Sequence, residues 1–172
     1  MKYQLNKVQS MPDRELTIDI GIDSNAWVQK EKHIVAICEE TILATIGSFN
    51  QKTELKNSTI SLLLTDDDKM RILNQVYRNK SSSTNVLSFS SANGPIRGVP
   101  YALGDIALSY SVIIAESNQF ARTFVNHVQH LLVHGCLHLM GFNHEEPLKA
   151  ELMEKKEISI LYKLGVSNPY ER

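Results

Sequence analysis

Residues 58–68 read Ser58-Thr59-Ile60-Ser61-Leu62-Leu63-Leu64-Thr65-Asp66-Asp67-Asp68. The apolar run over 58–64 predicts a strand. The three aspartates then open a helix, because negative charge suits the N-terminal end of the helix dipole. That helix carries Met70, Ile72, Leu73, Val76 and Tyr77 and ends near Arg78. A strand feeding directly into a helix sets the pattern for the rest of the chain.

Upstream, residues 15–22 (Glu15-Leu16-Thr17-Ile18-Asp19-Ile20-Gly21-Ile22) alternate apolar and polar and predict a strand, which Asp23-Ser24 can follow as a cap. Residues 30–46 place Ile34, Val35, Ile37, Cys38, Ile42 and Leu43 at helical spacing. Downstream, residues 85–89 predict a third strand and 104–108 a fourth. Residues 90–102 between them, with two prolines and two glycines, predict a loop. Helices follow from about Ser111, over 122–140 and over 147–164. Interleaved strands and helices predict an α+β (mixed α/β) fold: one domain over 1–172, with a small mixed sheet of about four strands covered by helices. The strand order is left open.

A length of 172 residues suits one domain with a real core. No apolar run approaches the roughly 20 residues that span a bilayer, and Met1–Asn6 lacks a signal-peptide core, so no membrane partner is expected. Cys38 and Cys136 make no disulfide framework. A cytoplasmic protein is the expectation. Eighteen Lys+Arg against nineteen Asp+Glu leave a net charge of −1, so any polyanion must be met by a local patch. Lys69, Arg71, Arg78 and Lys80 form one candidate; a solvated helix face is the plain alternative.

Five of the six histidines lie within residues 127–144: His127, His130, His134, His138 and His144. On a helix, His138 lies only about 40° round and 6 Å along from His134, so both imidazoles can reach one ion. Gly141 can end the helix in a left-handed conformation and bring His144 back to the same point. Three neutral imidazoles with one open position suit a catalytic zinc. His130 with His134 is a competing pair, but His130 and His138 stand about 12 Å apart along the axis. Only the pair nearer Gly141 gains a third ligand. His130 is therefore read as a supporting or core group and His127 as exposed. Cys136 lies about 200° round from His134, with Val125, Val128, Leu132 and Leu139, and reads as a buried small residue.

Histidines at 0, +4 and +10 with glycine at +7 match the spacing of the metzincin proteases. Those carry a general-base Glu directly after the first histidine, where this chain has Gly135, and that disfavours a peptidase.

The run His130-Leu-Leu-Val-His134-Gly-Cys-Leu-His138-Leu-Met-Gly-Phe-Asn-His144 resembles the signature of the YbeY family of bacterial metallo-endoribonucleases. Leu73-Asn74, Tyr77-Arg78, Thr84-Asn85-Val86-Leu87-Ser88-Phe89, Leu103-Gly104-Asp105-Ile106, Leu164-Gly165 and Asn168-Pro169-Tyr170 resemble its other blocks, in order. One departure is Asn143, where the family usually has Asp; the acceptor stays and the charge is lost, which weakens any bond that orients a ligand. The resemblance implies a zinc-dependent, single-strand-specific endoribonuclease. Its expected role is maturation of the 3′ end of small-subunit ribosomal RNA and ribosome quality control. The implied partners are single-stranded RNA and the small ribosomal subunit, not DNA. It also implies that His134, His138 and His144 ligate one Zn2+ and that Arg78 is functionally important. Arg78 can grip a phosphate through two parallel hydrogen bonds, or merely sit at a helix end favoured by the dipole. Imidazole sites also take nickel, cobalt and copper. The general base stays unassigned, Asp105 included. Two other readings stand beside this one: a metallopeptidase on the same histidines, and a ribosome-assembly factor with a structural zinc closed by His130 or Cys136.

Overall fold

The computed structural model describes residues 6–8, 16–49, 58–91 and 101–171. Alternation over β2 (Leu16–Ile22) buries Leu16, Ile18 and Ile20 on one face. The same rule in β3 (Ser58–Thr65) buries Ile60, Leu62 and Leu64, and in β5 (Tyr101–Ser109) it buries Ile106 and Leu108. β2, β3 and β5 run parallel, and the edges are antiparallel: β1 (Asn6–Val8) pairs with β2, and β4 (Val86–Ser90) pairs with β5. The order is β1-β2-β3-β5-β4. Among the described residues the sheet has five strands where about four were expected. The fifth is a three-residue edge strand, too short to carry a period-2 signal and defined only by its pairing.

Helices cover both faces. α2 (Ile34–Gly47) and α5 (Phe124–Leu139) pack on the face lined by the buried isoleucines and leucines, with α4 (Tyr110–Gln119) beside α5. α3 (Asp67–Arg78) lies on the other face, where Met70 meets Leu87 and Ala107. α6 (Pro147–Lys163) packs against α5 through Met153, Ile160 and Leu161.

The helix expected over 30–46 is present as α2 but starts later, and a separate short helix precedes it. α1 (Ala26–Lys30) ends at an extended Glu31, whose carboxylate accepts the His33 N–H at 2.9 Å, and α2 starts at Ile34. Trp27 anchors α1: it is fully buried, and its indole N–H donates to the Thr65 carbonyl at 2.9 Å. Asp23 does not cap α1; it pairs with Lys69 at 3.1 Å, tying the end of β2 to α3. Asp66 does cap α3, accepting the Lys69 N–H at 3.2 Å. The expected loop over 90–102 gives way to β5 at Tyr101; residues 92–100 lie outside the described ones. Gly104 in β5 sits at φ +146°, and a Cβ there would come within 2.1 Å of the Phe89 carbonyl oxygen, so only glycine lets the β4–β5 pair close.

Candidate metal centre and its cavity

Thr123 caps α5, accepting the Asn126 N–H at 3.1 Å, and the helix carries His134 and His138 in its last two turns. Gly141 takes φ +87°, and the Phe142 N–H returns to the Leu137 carbonyl at 3.0 Å. The reversal brings the His144 ring to 5.4 Å from that of His134 and 5.1 Å from that of His138, centre to centre. One ligating atom from each of the three lies within 4.8 Å of the others. Asn143 takes part in the turn: its side-chain oxygen accepts the Glu145 N–H at 3.4 Å.

The hydrogen bonding behind the rings determines what they present. His134 Nδ1–H donates to Glu157 Oε1 at 2.8 Å, and His138 Nδ1–H donates to the Phe142 carbonyl at 3.0 Å. With Nδ1 donating, each ring turns its Nε2 toward the other, and these two atoms are 3.0 Å apart. Facing lone pairs repel unless a cation sits between them. A metal ion among them would relieve that repulsion and could take the third ring as well. Burial, with the neighbouring His134, pushes the His138 pKa below its ordinary value, which favours the neutral, ligating ring. The donor set fits a transition-metal ion of the zinc class.

A cavity of about 340 Å³ opens beside the cluster, with the histidines on one side and Asn74, Arg78, Lys80 and residues 82–88 on the other. Arg78 is the last residue of α3, and Asn79 leaves the helix at φ +55°. Buried Asn74 donates from Nδ2 to the Ser82 carbonyl at 2.7 Å, and Ser83 donates to Asp67 at 3.0 Å. The loop after Arg78 is thus pinned at two points. The four cations do not act as one patch. Lys69 pairs with Asp23 and Arg71 with Asp68, while Arg78 and Lys80 line the cavity.

Position 135 explains why the metzincin base is missing. A Cβ on Gly135 would meet Ser88 Oγ at 3.0 Å and Ile106 carbons at 3.3 and 3.4 Å. The residue after His134 faces β4 and β5, so a glutamate side chain there would have to push Ser88 and Ile106 aside. Asp105 lies on the opposite face of the sheet, in a separate hollow with Asp19 and Tyr77. Neither closing ligand of the structural-zinc reading joins the cluster. Cys136 is fully buried, with its thiol pushed up to about 12 by burial, and His130 pairs with Glu157 at 3.3 Å. His130 is the supporting group expected. His127 is not exposed as expected: it is 3% exposed and pairs with Glu116 at 2.7 Å. Glu116 on α4 gives it a buried polar partner that the α5 sequence alone does not reveal.

Glu157 and Tyr170 were not anticipated. Burial alone would raise the Glu157 carboxyl, but hydrogen bonds from His130, His134 and Tyr170 hold it at about 2. A carboxylate in the buried stripe Met153, Glu157, Ile160 of α6 was the available signal.

Fold and site together define a small mixed-sheet protein whose three convergent imidazoles could hold a metal ion at the edge of a polar cavity. The family model described as "Endoribonuclease YbeY" matches residues 23–165, and the chain belongs to the YbeY endoribonuclease family. It is 39% identical over 158 residues to "Endoribonuclease YbeY" of Bartonella quintana, covering 90% of this chain and 97% of that protein. The protein of the same name from Azorhizobium caulinodans is 36% identical over 157 residues, covering 90% and 96%. The solution structure of TM1509 from Thermotoga maritima shares the fold, with a TM-score of 0.54 and 21% identity over 90% of this chain and 99% of that one. No helix among the described residues is long and apolar enough to cross a membrane.

Proposed function

We propose that this protein is a zinc-dependent endoribonuclease specific for single-stranded RNA. It matures the 3′ end of small-subunit ribosomal RNA and acts in ribosome quality control, working on the small ribosomal subunit in the cytoplasm. His134, His138 and His144 hold the ion, and Arg78 holds the scissile phosphate. One observation carries the reading: three imidazoles each bring a ligating nitrogen within 4.8 Å of the others, at a polar cavity also lined by Arg78 and Lys80. The family of named endoribonucleases supplies the substrate class.

When bound, zinc lowers the pKa of a coordinated water toward about 7 and polarises a phosphoryl oxygen. The chain's own residues do the positioning. Arg78 offers a planar fork that matches a phosphate in two parallel hydrogen bonds and offsets charge as the bond breaks. Lys80 adds a point charge on the same wall. The loop held by Asn74 and Asp67 keeps that wall in place before substrate arrives.

Two nucleophiles are available, a water and the RNA's own 2′-hydroxyl. Product ends separate them, since attack by the hydroxyl leaves a 2′,3′-cyclic phosphate and attack by water does not. The direct test is cleavage of a single-stranded RNA carrying the small-subunit 3′ end, comparing the intact protein with His134→Ala purified identically. Activity confined to the intact protein, lost on chelation and restored by zinc, is expected. Equal cleavage by both preparations would come from a contaminating nuclease and would remove the proposal.

A further inference from the structure

We infer that Glu157 is a positioning residue of the metal centre, and that Tyr170 locks it in place from the C-terminal tail. The inference rests on the reading of His134, His138 and His144 as ligands. Glu157 is 1% exposed, and a buried carboxylate is costly unless every oxygen is met by a donor. Three donors meet it. His134 Nδ1–H reaches Oε1 at 2.8 Å, His130 Nε2–H reaches Oε2 at 3.3 Å, and the Tyr170 hydroxyl donates to Oε2. The carboxylate fixes the tautomer of His134 and turns its Nε2 toward the other two imidazoles. Its charge also makes that nitrogen a stronger donor to a cation.

The arrangement is graded around the cluster. His134 is backed by a buried carboxylate and His138 by a neutral carbonyl, while His144 is the exposed member of the three. Glu157 is therefore placed to have the largest influence on affinity.

The tail is held so that Tyr170 reaches it. Val166 is buried among the residues between α5 and α6. The Asn168 side-chain oxygen accepts the Tyr170 N–H at 3.0 Å, and Arg122, just ahead of α5, donates to the Pro169 carbonyl. Residues far beyond the histidine motif in sequence thus act on its first ligand. Without Tyr170, Oε2 keeps only His130, and Glu157 is free to swing away from His134.

Zinc affinity of the full-length protein, measured by competition with a chromophoric chelator, tests this alongside the melting temperature of the metal-free form. Glu157→Gln keeps the shape and removes the charge, and is expected to bind zinc about 10–100-fold more weakly with one ion still taken up per chain. Tyr170→Phe is expected to weaken binding by a smaller factor and to lower the metal-free melting temperature modestly, since Glu157 loses one of its donors. Should Glu157→Gln fail to fold, Tyr170→Phe decides. Wild-type zinc affinity in the folded variants, with or without a change in melting temperature, would overturn the inference and leave the ligand assignment intact. A wild-type protein that takes up no zinc would instead overturn the ligand assignment itself.

Discussion

Two hollows flank α3, and they differ in everything that bears on chemistry. The one beside the histidines is about 340 Å³ and is walled by imidazoles, Arg78, Lys80 and a loop of hydroxyl and amide side chains. The other is larger, about 540 Å³, and is walled by Leu63, Leu73, Tyr77 and Phe89, with Asp19 and Asp105 at its polar edge. One helix serves both, because neighbouring helical residues point about 100° apart. Leu73 and Tyr77 face the larger hollow, while Asn74 and Arg78 face the smaller. Size alone would choose the larger one, which holds none of the three histidines. The smaller hollow holds convergent donors whose far atoms are already fixed by Glu157 and the Phe142 carbonyl, and that preorganisation is what a metal-assisted hydrolase needs.

The comparison is broken most directly at Arg78. If RNA is cut in the polar cavity, Arg78→Ala lowers kcat/KM for single-stranded RNA by about 10²–10³-fold, as loss of one preorganised donor to a developing charge does. Arg78→Lys recovers only part of that, since an ammonium cannot form the two-pronged grip. Zinc affinity stays at the wild-type value in both. Tyr77→Ala, one residue away but in the other hollow, is the control; a loss of cleavage as large as that of Arg78→Ala would move the substrate to the wrong side of α3.

Gly135 gives the next effect in size. Adding a side chain drives it into Ser88 and Ile106 across a tightly packed contact. Gly135→Ala sets that crowding against the roughly 1 kcal/mol that alanine gains over glycine inside a helix, and is expected to move urea stability by less than about 1 kcal/mol, while Gly135→Glu is expected to cost about 1–3 kcal/mol. Neither variant acquires peptide cleavage. A stable Gly135→Glu protein that hydrolyses peptides would restore the peptidase reading that the packing of β4 against α5 rejects.

Much of this was legible in the chain. Alternation over 16–22, the apolar run over 58–64 and the segment 104–108 marked the three parallel strands, and Asp66 marked the start of α3, because these signals are local. The three histidines were legible because helix geometry and one glycine decide their meeting. Strand β1 was not, since three residues make a strand only through a partner. Glu157, Tyr170 and Glu116 were not assigned because their meaning lies in what α6, the tail and α4 bring to the back of α5. His127 failed for the same reason: a helical wheel places a residue on a stripe but does not say which stripe another helix covers.

Those polar groups behind α5 also set the response to acid. Burial holds the His127 pKa below its usual value despite Glu116, and burial with His134 does the same to His138. Both stay neutral in the folded metal-free protein while the unfolded chain takes up protons below about 6.5. The unfolded state then binds more protons, so stability falls as pH drops through that value. Glu157, held at about 2 against the ordinary 4.5, adds a second loss as pH falls from 4.5 toward 2. Urea midpoints of the metal-free protein are expected to decline from pH 7.5 to 5.5 and more steeply below 4.5. A flat profile across the first interval would mean that both histidines take up protons in the folded protein as readily as in the unfolded chain, contrary to the burial of His127 and the half-burial of His138.

The smallest effect sharpens the comparison furthest, because it asks which side of α3 the RNA backbone follows. Each phosphate neutralised on a single strand contributes about 0.7 to the slope of log affinity against log salt. Lys80 lines the histidine cavity, whereas Arg71 is half exposed and already paired with Asp68 at 3.2 Å. Lys80→Ala is therefore expected to flatten the slope by about one such step, and Arg71→Ala to leave it nearly unchanged. Binding measured in a His134→Ala background, which the proposed function expects not to cleave, at several salt concentrations separates the two. The reverse result would put the backbone path on the outer face of α3, with only the scissile nucleotide dipping toward the histidines.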